Sequence, residues 1–422
     1  MPNRKIPPPL QEIRDLTLPL PTIYTLDNGI KVYTINMGTQ PILKMEVIIN
    51  AGRWYEHKKL VSRATASLLK EGTNQYSAGE IAEKIDFWGS SMSFPVNLDS
   101  SNLVLYCLTK HFDKTIPYVA DVLTQPTFPE DELQQYIKRS RQRLRVDLEK
   151  NDVMAYREVT EAIYGSEHPY GYNSRLPIYD TLHQTDIVQH FQKNYKAGNC
   201  TIILSGQPDK NTIQLLNQYI GRNLPKGKSV IKKATLSPNT QKKIEFPKVE
   251  GLQTSIRIGR RIARRSEVDF QNFYVLNTIL GGYFGSRLMA NLREEKGYTY
   301  GVYSVIESMV HDAYYFVSAD VRKESTSDAL QEIYREFKRL REEPVGNEEL
   351  QMVKNYLLGN FLTYLDGAFN VAEVVKTLVT ENVPFQYFEN LVQTVKHIQP
   401  DTIQRLANEY LQEEDQYQVI VG

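Results

Sequence analysis

The sequence predicts an α+β fold present twice, as two homologous α/β-sandwich domains joined by a linker, and three observations carry that prediction. First, PEDELQQYIKRSRQRL (129–144) is followed about 217 residues later by GNEELQMVKNYLLGNF (346–361), and TDIVQHFQKNYKAGNCTIILSG (185–206) is echoed at about the same offset by DTIQRLANEYLQEEDQYQVIVG (401–422). Second, each copy arranges strand-like and helix-like runs in blocks, the pattern of helices packed on a sheet. Third, GRNLPKGKSVIKKATLSPNTQKK (221–243), between the copies, is rich in Pro, Gly, Ser, Asn and Lys and has little apolar periodicity, as expected of an exposed linker.

TIYTLDNGIKVYTI (22–35) places two β runs around Asn28-Gly29, a hairpin signal because both residues tolerate positive φ. LKMEVIIN (43–50) is a further strand. In HKKLVSRATASLLKEG (57–72), Leu60, Ala64 and Leu68 stand four apart on one helix face. SAGEIAEKIDFWG (77–89) starts a helix with Ser77 as N-cap and Glu80 three residues on, a capping box. NLVLYCLTK (102–110) returns to strand. The second copy repeats the order with strand 254–260, a helix from about Asp269 to Leu280 and strands 299–305 and 313–321. In its helix 327–343, Leu330, Ile333, Tyr334, Phe337 and Leu340 share one face. The glycines of LGGYFGSRL (280–288) are expected to serve a tight turn at Gly281 and Gly282, and Gly297 to end a helix.

The 422 residues hold 50 Lys and Arg against 50 Asp and Glu, a balance that argues against binding nucleic acid by bulk phosphate neutralisation. No apolar run reaches the length of a membrane span. The start, MPNRKIPPPLQEIRD, lacks the apolar stretch of a signal peptide, so a cytoplasmic location is expected, or a periplasmic one had a signal peptide been removed. Cys107 and Cys200 have neither CxxC spacing nor an even ladder, which excludes a disulfide scaffold and a cysteine zinc site.

The seven histidines include no pair three or four residues apart, and neither HEXXH nor HXXEH occurs. GxSxG, GxxxxGK[ST] and GxGxxG are also absent. His168, in SEHPYGY, sits in a turn among polar and aromatic residues, where a structural role is the more common one. NLREEKGYTYG (291–301) combines Arg293, two acids, a lysine and two tyrosines at a helix-to-strand junction. Taken alone, the residues give a duplicated α+β protein without a visible catalytic centre.

NAGRWYEHKKLVSRATASLLKEGTNQYSAGEIAEKIDFWGS (50–90) resembles the N-terminal core of pitrilysin/insulinase-type zinc metallopeptidases, the family that includes the mitochondrial processing peptidases. NTILGGYFGSRLMANLREEKGYTYGVYS (277–304) is similar to the matching part of their C-terminal domain. In catalytic members HXXEH supplies two zinc-binding histidines and a glutamate that activates water. Counted back from Gly72-Thr73, those positions fall on Arg63, Ala66 and Ser67, and the third ligand falls near Leu144. None of these residues is a zinc ligand of the usual kind. The family's substrate-binding Arg and Tyr, seven residues apart, match Arg293 and Tyr300.

The resemblance therefore implies a non-catalytic, metal-free subunit of a heterodimeric zinc endopeptidase. Such a subunit has no catalytic residues of its own and contributes Arg293 and Tyr300 to a composite active site. Its expected partners are a homologous subunit that carries HXXEH and zinc, and a peptide or unfolded polypeptide substrate, with no nucleic acid or membrane. The chain alone is expected not to be an enzyme, whereas the pair is expected to be a zinc metalloendopeptidase. The rival expectation is a non-enzymatic scaffold or homodimeric peptide-binding protein of the same fold, in which Arg293 and Tyr300 are inherited structure. The expected divisions are an extended arm (1–20), a domain with a degenerate zinc site (21–220), a linker (221–245) and a domain with the Arg/Tyr pair (246–422).

Overall fold

A computed structural model describes residue 13 and residues 16–231, 233–248 and 251–422 of the chain. The expected arm over residues 1–20 lies mostly outside the described residues.

In chain order the first half contains β1 (Thr22–Thr25), β2 (Lys31–Asn36), β3 (Ile42–Ile49), α1 (Val61–Leu68), α2 (Ala78–Phe87), β4 (Ser91–Ser93), β5 (Ser101–Leu108), α3 (Phe112–Thr124), α4 (Glu130–Leu148), α5 (Asn151–Tyr164), α6 (Leu176–Tyr179), α7 (Gln184–Asn194), β6 (Cys200–Gly206) and α8 (Thr212–Leu216). The second half follows with β7 (Lys243–Phe246), β8 (Gln253–Ile262), α9 (Val268–Asn277), β9 (Thr299–Ser308), β10 (Ala313–Arg322), α10 (Thr326–Glu342), α11 (Asn347–Tyr364), α12 (Gly367–Thr380), α13 (Gln386–His397), α14 (Pro400–Tyr410) and β11 (Tyr417–Val421).

The expected hairpin forms, with β1 antiparallel to β2 and Gly29 at φ +94° in the turn. The Ser77–Glu80 capping box is complete at the start of α2. On α10, Ile333, Phe337 and Leu340 are buried as the spacing predicts, while Leu330 and Tyr334 are only partly buried. The helix expected from residue 57 begins at Val61, because Leu60 takes a left-handed φ of +72° that no helix continues through.

The first sheet runs β1-β2-β6-β3-β5-β4 and the second β7-β11-β8-β10-β9. From β2 and β7 onward the two orders correspond strand for strand. In both, the pair formed with the half's last strand, β2 with β6 and β7 with β11, is parallel, and the pairings that follow are antiparallel. A displacement of 216 residues carries α5 onto α12 and α7 onto α14.

Each sheet buries one face under the helices of its own half and the other under one helix of the opposite half. Leu43, Met45, Val47 and Ile49 of β3 face the first half's core. On the other face of the same sheet, Ile35, Ile48 and Ile203 pack with α12's Val371, Ala372 and Val375. Reciprocally, Ala155, Val159 and Ile163 of α5 pack on Tyr314, Phe316, Val419 and Val421 of the second sheet. Charge also crosses the first junction. Glu46, on β3's α12-facing side, lies 3.3 Å from Lys376 and 3.5 Å from Lys44, accepts a hydrogen bond from Asn102 Nδ2 at 2.8 Å and is 3% exposed. Glu373 pairs with both lysines.

Candidate functional site

Helix α1 is short, and its first turn is held by a side chain outside it. Glu56 Oε1 accepts from the Ser62 backbone N–H at 3.0 Å and from Ser62 Oγ at 2.6 Å, while Tyr172 Oη donates to Glu56 Oε2 at 2.6 Å. Burial pushes the Glu56 carboxyl above the usual carboxylate range, against the pull of these hydrogen bonds and of Arg53. Val61, Ala64 and Leu68 fix the helix to the core, and α4 packs beside it through Tyr136, Ile137 and Leu144.

The positions expected for a zinc centre fall on this helix pair. Arg63 is exposed, Ala66 is 0% exposed, Ser67 is half-buried, and Leu144 points into the core. A zinc centre of this family's kind takes histidine nitrogens and a carboxylate, with an open position for water. A guanidinium, a methyl, a hydroxyl and an isobutyl group do not fit that metal. Among the described residues no three His, Cys, Asp or Glu side chains are grouped so as to hold an ion.

Ser67, alone of the four, lines a cavity of about 470 Å³ between α1, β4 and α4. Ser67, Lys70 and Glu71 line it from α1 and the turn that follows, Met92 and Ser93 from β4, and Tyr136, Arg139, Ser140 and Arg143 from α4. Burial pushes the Tyr136 phenol up to about 12, partly offset by the nearby Arg63 guanidinium. The cationic side of this cavity was not read from the sequence, although KRSRQRLR (138–145) carried a signal: Arg139 and Arg143 stand four apart and so share a face of α4.

Arg293 and Tyr300 occupy the opposite half. A π-helical stretch, Met289–Glu295, buries Met289 and Leu292. It is anchored by Asn291 Nδ2, which donates to Glu336 Oε1 at 2.8 Å and to Glu332 Oε2 at 2.9 Å. Gly297, at φ +64°, turns the chain from there into β9. Arg293 thus projects beside the start of an edge strand. Its guanidinium lies 4.8 Å from the Phe284 ring and 5.0 Å from the Tyr300 ring, and its Nε is 3.2 Å from Glu294 Oε1. Tyr300 is 86% exposed and Phe284 64% exposed. The structure thus brings Arg293 and Tyr300 together, and it adds Phe284, which the spacing of the pair could not reveal.

The turn expected at Gly281 and Gly282 is a π-helical end, Thr278–Gly282. Neither glycine takes a positive φ. Gly281 is instead required by proximity, since a Cβ there would lie 2.5 Å from the Ser304 backbone nitrogen of β9. His168 is buried away from both candidate regions, with its ring stacked on Tyr164 at 5.0 Å and its Nδ1 accepting from the Tyr170 N–H. Burial holds its pKa below the ordinary histidine value.

The model of the insulinase family (peptidase family M16) matches residues 31–170, and that of the peptidase M16 inactive domain matches residues 181–357. An uncharacterised zinc protease of Bacillus subtilis, YmxG, is 23% identical over 352 residues, covering 82% of this chain and 84% of that protein. The non-peptidase homolog YmxG of Helicobacter pylori is 24% identical over 312 residues, 71% of this chain and 70% of its own length. The crystal structure of a peptidase M16 inactive domain from Pseudomonas fluorescens superposes with a TM-score of 0.86 at 23% identity, covering 95% of this chain and 98% of that one. With both halves matched in order and the duplicated fold reproduced along nearly its whole length, the chain belongs to the insulinase family, peptidase family M16, as a member without the HXXEH motif.

Proposed function

We propose that this chain is the metal-free subunit of a heterodimeric zinc endopeptidase and supplies Arg293 and Tyr300 to a composite active site. The observation that carries the reading is the solvent-facing stack of Phe284, Arg293 and Tyr300 beside edge strand β9, in a chain whose HXXEH positions hold no ligating side chain. A guanidinium flanked by two aromatic faces gains about 0.5–1 kcal/mol from each at an exposed site, which restrains its rotamers before any ligand arrives. In that position it presents N–H donors to a peptide carbonyl, and the Tyr300 hydroxyl adds another. Such donors stabilise the oxyanion that develops when the carbonyl is attacked. The zinc, the metal-bound water and the glutamate that activates it belong to the homologous partner subunit. The non-peptidase designation of the Helicobacter relative agrees with a chain that performs no cleavage by itself.

The test is cleavage of an unstructured polypeptide by this chain reconstituted with a homologous HXXEH subunit. Arg293→Ala should lower kcat/KM about 100-fold or more while leaving the pair assembled on a sizing column. Unchanged cleavage would refute the reading, and a metal-free homodimer that ignores the HXXEH chain would favour the scaffold instead.

A further inference from the structure

The cavity beside Ser67 has a charge of its own. Lys70 and Arg139 line it without an ion-pair partner among the described residues, and Arg143 has only a 3.8 Å contact to Asp147 with its side chain 78% exposed. Arg63, four residues before Ser67 and seven before Lys70, lies on the same stripe of α1 and close to Tyr136. Opposed to these cations, the lining contains a single carboxylate, Glu71, whose pKa burial raises while the nearby Lys70 and Arg139 pull it down. Ser67, Ser140 and Tyr136 add hydroxyl groups that donate to an anion.

The third wall is the short strand β4, which ends the first sheet and whose outer backbone edge has no strand partner among the described residues. An edge of this kind accepts an extended chain by strand addition, and alternate side chains of the added strand then point to the same side.

We infer that this cavity is a binding site for an acidic, extended peptide segment, which pairs with β4 and places a glutamate or aspartate side chain among Lys70, Arg139 and Arg143. The inference rests on the reading of the chain as a substrate-binding subunit and names the class of segment it takes. A backbone-pairing edge beside the cations favours a peptide over a nucleic acid, which would need a phosphate track and gains nothing from strand addition. A cation cluster around Ser67 repels a zinc ion and attracts a carboxylate.

The experiment is fluorescence anisotropy on the isolated full-length chain. The probe is a labelled, unstructured peptide with adjacent central glutamates, compared with its Gln and Lys counterparts. The glutamate peptide should bind at least about tenfold more tightly than the glutamine peptide and weaken with added salt, with the lysine peptide weakest. The double variant Arg139→Gln/Arg143→Gln should lose at least about tenfold, and Lys70→Gln should lose affinity alone. Lys210→Gln/Arg322→Gln, which removes the same charge at exposed positions elsewhere, should bind as the parent does. Circular dichroism shows that each variant is folded. Equal binding of the Glu and Gln peptides, or an unchanged double variant, overturns the inference. So does displacement of the peptide by an equimolar single-stranded oligonucleotide. Because the assay needs no partner chain, its failure is separable from that of the composite active site, which Arg293→Ala tests by cleavage.

Discussion

Glu46 is the buried member of the ion-pair network that fixes the second half's α12 to the first half's sheet, and Glu46→Gln removes its charge with almost no change in shape. The carboxylate is 3% exposed, with Lys376 at 3.3 Å and Lys44 at 3.5 Å. At an effective dielectric of about 20, a unit pair at 3.3 Å attracts by about 5 kcal/mol. Desolvation consumes much of that gain when the site is built. Breaking the pair afterwards strands the lysines, and a buried pair that loses one member costs about 3–5 kcal/mol. Burial works against the Lys44 ammonium, yet the Glu373 carboxylate and then Glu46 hold its pKa above the ordinary lysine value, and Glu373 remains beside it in the variant. Since Glu373 is half-exposed and still reaches both lysines, the lower end of the range, about 3 kcal/mol, is expected for Glu46→Gln. Urea unfolding followed by tryptophan fluorescence measures it, and Lys376→Met with the double variant completes a cycle whose coupling should exceed about 1 kcal/mol. A loss for Glu46→Gln below about 0.5 kcal/mol, or strict additivity, would refute the claim that this network holds the halves together.

Asp99 accepts hydrogen bonds from Tyr170 Oη and the Val310 N–H, yet burial raises its pKa from 3.8 to about 6. The unfolded chain loses that proton first, so the group's contribution to stability is fully present below pH ~4, falls as pH rises and is gone above pH ~6; between pH 4 and 7 the loss is about 2 kcal/mol, and Asp99→Asn should flatten that part of a stability–pH profile. Tyr164 Oη is buried with no hydrogen-bond partner among the described residues, so Tyr164→Phe should leave stability unchanged or raise it by about 1 kcal/mol in thermal melts. Gly281→Ala drives a Cβ to 2.5 Å from the Ser304 nitrogen, at a spot already braced by Asn277 Nδ2 donating to Ser304 O at 2.9 Å, and should cost about 2–3 kcal/mol in the same melts.

Features written in neighbouring residues were legible in the sequence. Ser77 and Glu80 are three apart, and their reciprocal bonds need nothing else, so the capping box could be read directly. The Asn28-Gly29 hairpin depends equally on local order, and the duplication shows in the echo of whole segments at one offset. Arg293 and Tyr300 were legible by spacing, whereas the Phe284 face that completes their stack arrives through the fold of residues 283–288. The LKMEV part of LKMEVIIN alternates apolar and polar residues as a half-solvated strand does, yet its polar side is buried, because α12 covers it and sets Lys376 against Glu46. The cavity beside Ser67 was hidden for a related reason. Its basic residues lie about 70 positions apart, on the turn after α1 and on α4, and only their packing makes one surface of them.

The mutual loan of α5 and α12 has a bearing on how this protein comes into being. Neither half possesses a finished interior: the first exports the helix that seals the second sheet and imports its counterpart, as two subunits do in a domain-swapped dimer. A ribosome that has released only the first 220 or so residues has therefore made a sheet with one uncovered side and a helix with nothing to cover, and that intermediate must wait for the remaining chain or be shielded by a chaperone. Once both are present, the covalent connection between them is nearly redundant, and a protease cut in the stretch between Gly221 and Lys243 should leave two fragments that travel together until they are denatured.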